Sequence, residues 1–393
     1  IVDIQRKLYA VLRKFGHALI PRQNTNAAKR MGSMDMNQLK PVTLSKFSTD
    51  NPPDSVEWCP TQSTLFVCGT YLYDGADKSR KGSIFCLNLN ESTNSINTLQ
   101  HLNTNGILDM QWLQHDSTYL STICSNGQFV LYSLTSDQNE PLKQVLCEDV
   151  TADQTLGLTH NWYRPRDINQ LTSSRYLVVG DQSGSLTLAE LNTNGLEYIQ
   201  QWQAHDYECW TCAFDYTNSN IVFSGADDCL FKIWDIREQA KETHLSREHK
   251  MGVCSIAVSP FDEHQFLTGS FDEYLRQWDK RMLDKSLKET KLNAGVWKIK
   301  YHPQNAQNIL CACMANGFHI VDNTNLTVKC SYTEHTSLAY GCDWKHRDPL
   351  NELASMNMDD HDITNNLQDN DNTVATCSFY DKSVHVWKTQ TIH

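Results

Sequence analysis

Beyond Met34 the apolar residues fall into short alternating strands, and the strands come in groups that repeat along the chain. The clearest group is His205-Asp-Tyr-Glu-Cys-Trp210-Thr-Cys-Ala-Phe214, then Ile221 to Asp228, then Leu230-Phe-Lys-Ile-Trp-Asp235. Its next copy runs from His249 to Pro260, Gln265 to Asp272 and Tyr274 to Asp279. In both copies His precedes Trp by 29 residues and Asp precedes the same Trp by six, an agreement that spans three strands. Weaker copies are centred on Val56-Glu-Trp58, Ile107 to Trp112, Leu158 to Trp162, Gly295 to Pro303 and Tyr340 to Trp344. The third strands of these seven units end near 87, 132, 188, 234, 278, 320 and 387. A period of roughly 45 residues matches a four-stranded blade. No such strand is stable alone, but radially stacked sheets bury both faces and a closed ring leaves few free edges. The pattern therefore predicts an all-β fold, a seven-bladed β-propeller over 34–393. The chain ends just after a third strand, so residues 37–48 are expected to complete the last blade.

Charge and composition narrow the picture. Residues 1–33 carry seven Lys/Arg against Asp3, whereas everything after Ser33 sums to −18. Apolar residues at Ile4, Leu8, Val11, Leu12, Phe15 and Leu19 make the first stretch a basic amphipathic helix, compatible with a transit peptide or membrane-surface segment. Met31-Gly-Ser-Met34 looks like a start region, and 1–33 is expected to lie outside the fold as an extension. The acidic body argues against direct binding to nucleic acid and favours a cationic partner or substrate. No apolar run is long enough to span a membrane. The 14 cysteines sit mostly inside apolar runs, without the spacing of a disulfide framework, as expected for buried thiols in the cytoplasm. An insertion at 346–371 holds seven acids and almost no large apolar residues, the composition of a surface loop.

His205, Ser224, Asp228 and Trp234 have the residue types of a catalytic triad, but His249, Thr268, Asp272 and Trp278 recur at the same offsets. Recurrence in successive units marks them as structural, and the set resembles the hydrogen-bond tetrad of WD repeats. The repeat is thus read as the WD type. Cys209-Trp-Thr-Cys212 has metal or redox spacing, yet regular alternation would point its thiols to opposite faces, and no companion pair has ligand spacing. No metal or cofactor is expected, and no nucleophile elbow or phosphate-binding loop is present. What remains is the rim of the channel. Residues before the first strands and between the second and third strands gather on one face, bringing Asp206, Glu208, Trp210, Asp227, Glu273, Trp297, Tyr340, Phe379 and Tyr380 together. Aromatic walls with carboxylates suit a quaternary ammonium, and the same aromatics also suit packing between blades. Trp210, Trp297, Tyr340 and Tyr380 are the candidate binding residues, and Glu208, Asp227 and Glu273 the positional candidates for acid–base work.

Met251-Gly-Val-Cys-Ser-Ile256, Gly295 to Pro303, Ala312 to Phe318, Tyr340-Gly-Cys-Asp-Trp344 and Ala375-Thr-Cys-Ser-Phe-Tyr-Asp381 resemble the diphthine methyltransferase family, understood as diphthine methyl ester hydrolases. The similarity is sharp over 205–388, diffuse over 54–200 and absent from 1–33; units one, two, three and six lack the Trp-Asp ending. The resemblance implies a carboxylic ester hydrolase of diphthamide biosynthesis, and a monomer is expected. Its protein substrate would be translation elongation factor 2, with a trimethylammonium group beside a methyl ester. It supplies no catalytic residues to carry over, so the site rests on position. The competing expectation is a non-catalytic WD-repeat scaffold that recruits diphthamide-synthesis enzymes to elongation factor 2; fold alone does not separate the two.

Overall fold

A computed structural model describes residues 39–391 apart from 77, 114–117, 153–154, 166–174, 238 and 348–371. The basic segment 1–33 and all but the first two residues of the acidic insertion lie outside the described residues.

Seven antiparallel sheets, each ordered from an inner to an outer strand, form a seven-bladed β-propeller. The inner strands are Pro53–Trp58, Ile107–Trp112, Gly157–Trp162, Cys209–Asp215, Val253–Val258, Val296–Tyr301 and Ala339–Trp344. They contact one another around the axis. The expected closure is present: Leu39–Ser48 pairs antiparallel with Ser383–Thr391 and becomes the outer strand of the seventh blade. The N-terminal end of the described chain thus fastens the last blade, and the ring has no free inner edge.

Burial follows the radial order. All six residues of Pro53–Trp58 are buried, because that strand has sheet on one side, channel on the other and a blade above and below. The outer strand Ser95–Asn105 alternates between half-buried and exposed. Seven apolar clusters, one at each interface between neighbouring blades, form the core. One of them sets Phe223 and Phe231 of blade four against Phe266 and Trp278 of blade five. Each large side chain removed from water there contributes about 1.5–3 kcal/mol.

Polar side chains of the inner strands also stitch each blade to the next. The His160 amide donates to Asp109 Oδ2 at 3.0 Å, Phe214 to Asn161 Oδ1 at 3.0 Å, Ile256 to Thr211 Oγ1 at 3.0 Å and Ile299 to Ser255 Oγ at 3.1 Å.

Both predicted tetrads form. His205 lies 2.8 Å from Asp228 and 2.7 Å from Ser224, and the Trp234 indole donates to Ser224 at 2.8 Å. His249, Asp272, Thr268 and Trp278 repeat this with 3.0, 2.7 and 2.8 Å. Burial works against the Asp272 charge, but the hydrogen bond and charge of His249 hold its carboxyl well below the usual range. Two further tetrads were not read from the sequence. Blade seven ties His335 and Trp387 to Thr376 at 3.0 and 3.2 Å, with Asp381 at 3.8 Å from the imidazole. The other bridges two blades: Ser121 and Asp109 of blade two hold His160 at 2.7 and 3.1 Å, and the Trp162 indole donates to Ser121 at 2.9 Å. Among the described residues, no helix is long and apolar enough to cross a membrane.

Candidate functional site at the channel mouth

Every inner strand breaks register with its neighbour near its first residue. The interruptions fall between Pro53 and Ser55, Ile107 and Asp109, Gly157 and Thr159, Cys209 and Thr211, Val253 and Ser255, Val296 and Lys298, and Ala339 and Cys342. A bulged residue is free of the ladder and can be re-aimed. The residues so released are Asp54, Leu108, Leu158, Trp210, Cys254 and Trp297, one in each of six blades, and Tyr340 with Gly341 in the seventh. They make a ring around the mouth of the channel.

The bulge also corrects the expected geometry of Cys209 and Cys212. Regular alternation does not hold across Trp210, so both thiols enter the same inter-blade cluster, with Phe214 and Val178. Burial raises both well above the ordinary thiol range.

Three predicted aromatics meet in this ring. Trp210 and Trp297 approach with centroids 5.4 Å apart, although a blade separates them, because the intervening residue is the small Cys254. Trp297 stacks on Tyr340 at 5.1 Å, Tyr340 contacts Phe379 at 5.1 Å, and Phe379 contacts Tyr380 at 5.1 Å. The arc grades from the buried Tyr340 and Phe379, through half-buried Trp210 and Trp297, to Tyr380 at 53% exposure. Tyr71, Leu108, Phe271 and Met314 pack behind it.

The predicted carboxylates divide. Glu208 is buried two residues before Trp210, and its carbonyl accepts the Asp227 amide at 3.0 Å, so both acids sit at this mouth with Asp227 exposed. Glu273 is not brought to the aromatic arc. It occupies the left-handed position of its hairpin turn (φ 73°), where the Asp272 carboxylate accepts the Tyr274 amide, and its side chain pairs with Lys291 on the outer strand at 3.0 Å.

Asp54 was missed by the sequence reading. It is the single carboxylate in the ring, 8% exposed, and no described residue donates a hydrogen bond to it. Burial pushes its carboxyl from 3.8 to about 8; Lys298 opposes the rise and Asp109 adds to it. Its charge is also felt by Tyr71 and Tyr340, which puts it within electrostatic reach of the aromatic arc. The available signal was alignment: Asp54 precedes Val56 by the two residues that separate Trp210 from Cys212.

Below the ring the channel holds a cavity of about 290 Å³, lined by Trp210, Cys254, Lys298, Lys300, Glu57 and Asp343 and, at the far ends of the inner strands, by Pro60, Tyr216, His302 and Trp344. Lys298 Nζ crosses from blade six to Asp109 Oδ1 of blade two at 2.9 Å. Burial opposes the charge of both partners, and their mutual attraction keeps both ionised. Lys300 Nζ lies 2.5 Å from Glu57 and 3.4 Å from Asp343. One ammonium between two buried carboxylates leaves Glu57, pushed up by burial and by Asp343, at about 7.

Residues 196–235 and 241–279 match the WD domain, G-beta repeat family. The human protein named diphthine methyltransferase is 34% identical over 335 residues, 77% of this chain and 74% of its own length. The Dictyostelium discoideum diphthine methyltransferase homolog is 31% identical over 380 residues, covering 86% of this chain and 96% of that protein. A solved chain from a crystal structure of the mitotic checkpoint complex superposes with a TM-score of 0.63 over 95% of this chain and 98% of its own, at 16% identity, a likeness of fold alone. Identity at this level across most of its length means that the chain belongs to the diphthine methyltransferase family.

Proposed function

We propose that the protein hydrolyses the methyl ester of diphthine methyl ester on translation elongation factor 2, in the cytoplasm, as a step of diphthamide biosynthesis. The observation that carries this reading is the aromatic arc of Trp210, Trp297 and Tyr340, with centroids 5.1–5.4 Å apart, beside buried and exposed carboxylates at one mouth of the channel. Aromatic faces with nearby negative charge attract a permanent cation, by about 2 kcal/mol or more where water is excluded. A trimethylammonium-bearing side chain on an elongation factor is such a ligand, and the human and Dictyostelium relatives carry names that specify diphthine.

In this reading Trp210, Trp297, Tyr340 and Tyr380 hold the ammonium, Glu208 and Asp227 set the acidic potential of the mouth, and a carboxylate assists attack by water on the ester. The test is incubation of purified protein with methyl-esterified elongation factor 2, with loss of about 14 mass units (net CH₂) as the readout of ester cleavage. The expected result is loss with wild type, and at least tenfold slower loss with Trp210→Ala. Stable binding of the factor without mass loss would replace the hydrolase with a scaffold that brings diphthamide-synthesis enzymes to it.

A further inference from the structure

We propose that Asp54 is the catalytic carboxylate, taking a proton from the water that attacks the ester carbonyl beside the aromatic arc; this rests on the hydrolase reading above. Three features of the fold carry it.

The first is position. The bulge between Pro53 and Ser55 delivers Asp54 to the ring that also presents Trp210, Trp297 and Tyr340. A ligand whose cation rests on the arc is therefore bordered by the one carboxylate that the ring itself carries.

The second is the cost of keeping it. The side chain is 8% exposed and takes no hydrogen bond from a described residue, so its charge is held away from bulk water without a compensating donor. Three other buried acids of the inner strands have partners: Asp109 has Lys298, Glu57 has Lys300, and Asp343 accepts the Trp58 amide at 2.8 Å. Asp54 has lone pairs free for a water molecule.

The third is its electrostatic setting. Burial pushes the carboxyl to about 8, so it exchanges a proton close to neutral pH, the range in which an acid–base group works best. Lys298 is within electrostatic reach of Asp54, is anchored by Asp109 and lines the cavity, and in this assignment its ammonium favours the charge that develops on the carbonyl oxygen.

The step balances as ordinary ester hydrolysis. The water oxygen bonds to the carbonyl carbon as its proton passes to Asp54. Collapse of the tetrahedral intermediate breaks the bond to methoxide, which leaves as methanol with the proton from Asp54. The acid product ionises, so the turnover releases one proton to solvent.

The experiment compares wild type with Asp54→Asn on methyl-esterified elongation factor 2 across pH 6 to 9.5, together with a thermal melt of each. A general base contributes about 10²–10⁴-fold, so the variant is expected to lose at least about 100-fold in kcat with KM changed less than about threefold. The wild-type kcat/KM should rise with pH around a midpoint near 8, and the residual rate of a folded variant should lose that rise. A folded variant with wild-type kcat, or one that keeps the ascending limb, overturns the assignment of Asp54 while leaving the hydrolase intact. A wild-type protein that removes no methyl group overturns both.

Discussion

Replacing Asp54 by Asn should make the protein more stable at alkaline pH. The folded chain keeps the Asp54 carboxyl protonated up to about pH 8, whereas the unfolded chain releases that proton near 3.8. The folded value is raised, so the favourable contribution is complete below the unfolded value, falls as pH climbs through the window between them, and is gone above about 8. At about 1.4 kcal/mol per pH unit, that window corresponds to a loss with a ceiling of roughly 5–6 kcal/mol. Asparagine does not titrate and avoids this loss. Its amide does lack an acceptor, which costs about 1–3 kcal/mol at every pH. The two effects oppose each other, so the variant should be slightly less stable than wild type at pH 5 and about 2–4 kcal/mol more stable at pH 8.5. Paired urea titrations at pH 5, 6.5 and 8.5 measure the crossing, because the other titrating groups are common to both proteins and largely cancel in the difference. A stability difference that does not change between pH 5 and 8.5 would show that Asp54 is already ionised in the folded state, and the reasoning would fall with it.

Lys298→Met should remove the partner of the buried Asp109 carboxylate and cost about 3–5 kcal/mol, read as a lower urea midpoint. Asp272→Ala should cost a few kcal/mol at neutral pH by breaking a satisfied buried network. Because the Asp272 carboxyl is held below its ordinary value in the fold, its contribution is present above about pH 4 and lost in acid, so the penalty should shrink as pH falls. A penalty for Asp272→Ala that is the same at pH 7 and pH 3 would contradict that assignment.

The fold was legible because its strongest determinants repeat. The His–Trp and Asp–Trp spacings of blades four and five mark two tetrads, and the structure forms both. Ring closure followed from counting: the seventh unit shows three strands of its own, and Leu39–Ser48 supplies the fourth. The third tetrad was hidden by the long insertion between His335 and Thr376, although Asp381 still precedes Trp387 by the same six residues. The fourth was invisible to any search for copies, since Asp109 and Ser121 belong to one blade and His160 and Trp162 to the next.

The candidate site was only half legible, for a single physical reason. Reading a strand by alternation presumes an unbroken ladder, and each inner strand here breaks its ladder at the residue that matters. Trp210, Trp297 and Tyr340 were recognised because aromatic side chains are conspicuous wherever they stand. Asp54, in the run Asn51-Pro-Pro-Asp54, reads as an ordinary turn residue until the bulge is known.

The bulges give the fold a division of labour. Residues on either side of each bulge pack between blades or hydrogen-bond across them, so changing these disturbs the core: Val56 and Trp58 in blade one, Cys212 and Phe214 in blade four, Ile299 in blade six. The bulged residue is released from the ladder, and across the seven blades it varies from leucine through cysteine to tryptophan and aspartate without altering the sheet that carries it. A repeat architecture ordinarily presents the same side chain many times, whereas a binding site needs different ones in fixed places. The ring of released positions resolves that conflict here. Cys254 is small enough for Trp210 and Trp297 to meet across its blade, and Tyr340 continues the arc toward blade one. There the series of uncharged side chains gives way to a carboxylate whose burial the ring alone does not justify. The energetic penalty of that aspartate and its place at the end of an aromatic wall are two aspects of one arrangement, in which stability at the channel mouth is set against the chemistry proposed for it.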